Sequence, residues 1–144
     1  MNVLSAEWRR ARKLHGCFLC GRTIAVGERY HYQFQVDCGD AVPWQSCEHC
    51  QVYAHLIFQT DQWDDDRGLD FDTADDFEPR TWAEVRIKVM YRRRWRRLDG
   101  ALMPVPRLVY ARLFYPRRSP WESKFTPIAV ACVLPDIETA RAAA

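Results

Sequence analysis

No stretch of this chain stays apolar for long enough to cross a membrane. The longest such run covers residues 128–134, whereas a spanning helix needs about 20 apolar residues. Arg9, Arg10, Arg12 and Lys13 near the start are not followed by the apolar segment of a secretory leader. The chain also lacks a Ser-His-Asp constellation, a phosphate-cradling glycine loop and the βαβ surroundings of a redox Cys-x-x-Cys. Asp64-Asp65-Asp66-Arg67-Gly68 lacks the ligand alternation and the closing Glu of a calcium loop. These absences point to a cytoplasmic protein with no membrane partner and no small-molecule substrate. In that compartment thiols stay reduced, so the six cysteines need a reason other than disulfides.

Net charge is nearly missing as well, at +2, but that value conceals two opposed blocks. Residues 61–78 hold nine acidic residues against Arg67, and residues 80–97 hold eight basic residues against Glu84. The acidic block has no sustained apolar period and reads as a solvated, mobile linker.

What is present begins with two Cys-x-x-Cys pairs, Cys17–Cys20 and Cys47–Cys50. A two-residue spacer lets both sulfurs of a pair reach one ion, and two pairs complete the tetrahedral shell of a structural zinc. Gly21 lets the backbone curl after the first pair, and the amides of that turn are expected to donate to the sulfurs. Cys38 and Cys132 fall at a turn and in an apolar run and are read as bystanders. His15, His49 and His55 flank a shell that is already closed, which gives them surface or supporting roles.

The 26 residues between the pairs read as a β-hairpin. Tyr30, Tyr32, Phe34 and Val36 alternate with Arg29, His31, Gln33 and Gln35. Asp37-Cys38-Gly39-Asp40 supplies turn chemistry, and Pro43 suits an edge strand over residues 41–45. Residues 51–59 then switch to helical period. Two ligands on a turn, a hairpin, and two ligands at a helix start are the order of a treble clef.

The run from His15 to Ile24, with Gly27-Glu28-Arg29-Tyr30, Trp44 and Cys47-Glu48-His49-Cys50, resembles small zinc-binding treble-clef proteins of bacteriophages and prophages, which are mostly uncharacterised. Trp95 to Gly100 and Pro104-Val105-Pro106 share some of that flavour. The resemblance implies one zinc site and a viral or mobile-element origin, and it carries no activity over.

Thr81 and Glu84 form a Thr-x-x-Glu capping box, and Leu98-Asp99-Gly100 reads as the helix stop. Ile87, Tyr91, Trp95 and Leu98 share one stripe at about 100° per residue, while Trp82, Val85 and Val89 make a second apolar patch. Arg92, Arg93, Arg94, Arg96 and Arg97 would cover the last turns. Five guanidinium groups in six positions suit phosphate. The period of residues 107–115 fits a strand and a short helix equally. Arg117, Arg118 and Lys124 near Tyr115 and Trp121 extend the basic, aromatic character. Residues 125–134 read as a buried strand, and residues 139–144 as frayed.

The expected fold is α+β. Residues 1–60 form a treble-clef zinc module, residues 61–79 an acidic linker, and residues 80–144 a basic helix and extension packed on the module. The expected function is that of a non-enzymatic, zinc-binding accessory factor for nucleic acid, with Arg92, Arg93, Arg94, Arg96 and Arg97 as the contact surface. The alternative is a module that binds and modulates a host or phage protein. An HNH-type nuclease would need more than His31 and His55, and its Asp-His segment is missing.

Overall fold

A computed structural model describes residues 2–37, 39–60, 62, 69–112 and 128–133. The turn position of Cys38, the aspartates at 64–66, the basic residues at 117–124 and the tail at 139–144 lie outside the described residues, as does the side chain of Cys132.

The described chain is α+β. Strand β1 (Asn2–Arg10) pairs antiparallel with β4 (Arg29–Asp37), which pairs antiparallel with β5 (Asp40–Cys47), so the sheet order is β1-β4-β5. Alternation in residues 29–36 sets the β4 register, with Asp37 opposite Asp40 at the turn and Gly39 at φ +93°. Pro43 sits on the edge strand β5, where a missing N–H costs nothing. The first strand was not anticipated. Residues 2–10 mix Leu4, Glu7, Trp8 and Arg9 without strict alternation, and their sequence-distant partner β4 makes the strand.

Two short strands, β2 (His15–Gly16) and β3 (Thr23–Ile24), pair across the first Cys-x-x-Cys turn. Helix α1 (Glu48–Phe58) starts directly after β5 with Cys47 as its N-cap, so the second cysteine pair lies at the helix start. Its buried face is Tyr53, Ala54, Leu56 and Ile57.

The part of the acidic block that is described does not read as a free linker. Asp70 caps helix α2 (Phe71–Asp76), accepting from the Thr73 amide. Ala74 and Phe77 are buried, and the Tyr53 hydroxyl donates to the Ala74 carbonyl at 2.9 Å. Gln62 clasps the backbone of Glu78 through both ends of its amide. A lone helix of six residues is not stable; its tertiary partners, invisible to local pattern, hold it.

Helix α3 (Trp82–Arg92) has the expected capping box: Glu84 N–H donates to Thr81 Oγ1 and Thr81 N–H to Glu84 Oε2. Its end corrects the expectation of a helix running to Leu98. The Trp95 amide donates to the Met90 carbonyl and the Arg94 amide to the Tyr91 carbonyl. This is a Schellman cap with Arg94 in the left-handed position usually held by glycine, at φ +53°. No glycine marks that point, so the sequence pattern ran through it. Leu98-Asp99-Gly100 instead forms the tip of a small reversal closed by the Arg96–Leu102 bridge, and Leu98 is 94% exposed. Strands β6 (Arg107–Arg112) and β7 (Ile128–Val133) pair antiparallel, which places most of residues 107–115 in a strand.

One core joins these elements. Tyr53, Phe77, Tyr91 and Trp95 cluster with ring centroids 4.6–6.4 Å apart, and Tyr91 donates to the Leu19 carbonyl at 2.6 Å. Among the described residues no helix is long and apolar enough to cross a membrane.

Candidate metal centre

The sulfurs of Cys17, Cys20, Cys47 and Cys50 lie within 4.8 Å of one another, and all four residues are buried. The β2–β3 turn supplies the first two. The last residue of β5 supplies Cys47, and the first turn of α1 supplies Cys50. Cys20 Sγ and Cys47 Sγ are 4.0 Å apart, about twice a disulfide bond, and all four cysteines are free. A tetrahedral ion with bonds of about 2.3 Å separates its sulfurs by about 3.8 Å. The four donors therefore fit one ion such as zinc, with no position left open.

The backbone favours anionic sulfur here. Cys47 and Cys50 occupy the N-cap and third positions of α1, where the positive end of the helix dipole lowers the cost of a thiolate. Gly21, at φ +69°, turns the chain so that its amide reaches the Cys17 carbonyl at 2.8 Å. The turn amides were expected to reach sulfur; instead the Cys47 amide donates to Cys17 Sγ at 3.3 Å. Within the cluster, hydrogen bonding from Cys20 holds Cys17 low, and that from Cys17 holds Cys47 low. Contact with Cys17 raises Cys20, and burial raises Cys50. The protons thus belong to the set, and an arriving cation displaces them together.

Three side chains bear on the sulfurs; the sequence offers His49 a surface or supporting role and gives none to Trp95 or Arg22. Trp95 Nε1–H donates to Cys50 Sγ at 3.2 Å. Arg22 is buried, with Nη1 2.8 Å from Glu28 and 3.0 Å from the Thr23 carbonyl. Burial opposes its charge, but Cys47 and Glu28 outweigh that and raise its pKa. His49, 3% exposed, has Nε2 2.6 Å from the Met103 carbonyl. A carbonyl only accepts, so Nε2 carries the hydrogen. His49 also lies against the Trp95 ring at 5.4 Å. An arginine two residues after a Cys-x-x-Cys, and a histidine inside one, were the available signals.

The arginine segment is not one helical face. Arg92 closes α3 and pairs with Asp75 at 3.0 Å, both partners exposed. Arg93 is the C-cap, and Arg94 is exposed at the left-handed position. Arg96 Nη1 donates to the Gly100 carbonyl, while Arg97 Nε is buried without a hydrogen-bond partner among the described residues. Trp95, in their midst, is 1% exposed. His31 on β4 has its pKa lowered by burial first and then by His55; His55 itself is exposed on α1.

Fold and site together define an α+β protein with a buried four-cysteine cluster able to hold a metal ion. No family model, no curated protein and no solved structure matches the chain.

Proposed function

We propose that this is a treble-clef zinc protein of the bacteriophage kind that acts by binding nucleic acid, with one structural zinc and no catalytic step. The reading is carried by the attachment of Trp95 to Cys50 Sγ. That bond ties the arginine segment to the metal centre, so the zinc has a scaffold role that presents Arg93, Arg94 and Arg96. A shell of four buried thiolates supports scaffolding, since catalytic zinc keeps a position for water or substrate. The left-handed backbone at both Arg94 and Trp95 turns the indole inward, and such strain tends to gather at functional positions.

The test is binding of labelled oligonucleotides by the zinc-loaded chain over a range of salt. Replacing Arg93, Arg94 and Arg96 with alanine should flatten the slope of log affinity against log salt by about 0.7–0.9 for each lost phosphate contact. An unchanged slope would remove this segment from the interface. A protein partner is the second reading. It is favoured by Trp82 and Val89, seven residues apart on α3 and 83% and 45% exposed, which share a helical face.

A further inference from the structure

A second concentration of positive charge lies away from the arginine segment. An open cleft of about 970 Å³ is lined by Arg9, Arg10, Arg12, Lys13, His15 and Tyr30, with Ala11, Val26 and Gly27. Of its four Arg and Lys residues only Arg9 has a carboxylate partner among the described residues, Glu7, and Arg9 also lies over the Tyr32 ring at 3.8 Å. Arg10 reaches the Gly27 carbonyl at 3.2 Å. Arg12 and Lys13 are exposed and make no ion pair or hydrogen bond with any described residue.

The backbone that carries these cations is held in place. Ala11 is buried, donates to the Glu28 carbonyl at 2.9 Å and accepts from the Gly27 amide at 2.8 Å. Two residues beyond Lys13, His15 pairs with Ile24 in the β2–β3 ladder. The turn carrying Arg12 and Lys13 is thus pinned on both sides and leads into the metal-binding turn. Arg10 also stands directly opposite Arg29 in the β1–β4 register. Arg29 is answered by Glu48 at 3.8 Å, which leaves Arg10 facing the cleft with the Gly27 carbonyl as its bonded neighbour.

We propose that this cleft receives the phosphodiester backbone of a nucleic acid, with Arg12 and Lys13 as its principal contacts. The proposal rests on the nucleic-acid reading and adds to it a site that reading did not contain. The chemistry favours a phosphate chain over an acidic protein segment. The lining gathers four cations in one open cleft, a spacing suited to successive phosphates, and Trp8, on the same strand as Arg10 and 42% exposed with the Arg29 guanidinium 4.4 Å from its ring, offers a stacking surface.

The experiment uses the full zinc-loaded chain, a labelled single strand and its duplex, and the double variant Arg12→Ala/Lys13→Ala. Both side chains are exposed and without a partner among the described residues, so the variant should keep its zinc and its circular dichroism; Arg12→Gln/Lys13→Gln repeats the test with longer side chains. The expected result is weaker binding with the salt slope flattened by about 1.4–1.8 units, two contacts' worth. Whichever form, strand or duplex, shows that loss is the ligand. Wild-type binding with an unchanged slope in both double variants overturns the cleft and leaves the nucleic-acid reading standing. Failure of the wild-type chain to bind either form, or binding only to anionic lipid vesicles, overturns both.

Discussion

Trp95 Nε1 donates to Cys50 Sγ across 3.2 Å, so a residue 45 positions later in the chain helps to hold the metal site. Trp95→Phe keeps most of the packing and removes the donor. Loss of such supporting partners typically costs 10–100-fold in metal affinity, and a chelator competition should show a loss of about that size with the fold intact. Trp95→Ala removes a buried ring as well and should destabilise by about 3–5 kcal/mol, measured by denaturant unfolding. Equal chelator resistance in wild type and Trp95→Phe would assign the indole to packing alone.

Metal analysis should return about one zinc per chain, because four thiolates close one shell. Cys17→Ser and Cys50→Ser should lose it, while Cys38→Ser and Cys132→Ser should keep it. Two zinc ions per chain, or retention in Cys50→Ser, would contradict the site.

Arg94→Gly should stabilise the protein, unlike most substitutions. Arg94 holds a left-handed φ of +53°, which costs a side-chain-bearing residue roughly 1–2 kcal/mol, while glycine adopts it freely at some cost in unfolded-state entropy. The net gain should be about 1 kcal/mol, read as a higher melting temperature. A lower one would mean that the Arg94 side chain makes a stabilising contact.

Alkaline pH should unfold the chain through Tyr53 and Tyr91. Burial, first of all, pushes both phenols above their usual range, and both donate to carbonyls. The unfolded phenols ionise near pH 10 or about there, whereas the folded ones keep their protons. Their contribution is therefore fully present below that pH and is lost as pH rises through the raised folded values. Stability followed from neutral to strongly alkaline pH should fall along a limb that flattens in Tyr53→Phe/Tyr91→Phe. An equally steep limb in the variant would place the alkaline sensitivity elsewhere.

The four-cysteine cluster, the β4–β5 hairpin and the α3 capping box were legible because each is local: a two-residue spacer, an alternation, a Thr-x-x-Glu. The pieces missed depend on distant partners. Strand β1 exists because β4 offers it an edge, and α2 because Tyr53 holds Ala74. The α3 terminus escaped because arginine occupies a position that glycine usually marks. Five arginines with helical spacing then looked like one face, although the chain leaves the helix beneath them. The basic cleft was visible as Arg9, Arg10, Arg12 and Lys13, but those residues had been weighed only as a possible leader.

Strand β5 passes into α1 without a connecting loop, so Cys47 belongs to both. The ladder that sets Tyr30 opposite Cys47 therefore also sets the rotation of the helix and the position of Cys50. A single residue inserted beside Cys47, between Trp44 and Cys47, would shift that register and turn the sulfur to the opposite face of the sheet. The far end of the hairpin, where Asp37 faces Asp40, carries no such constraint. Descendants of this sequence can lengthen there two residues at a time, and an engineer can graft a loop there, while the metal-proximal end must keep its register.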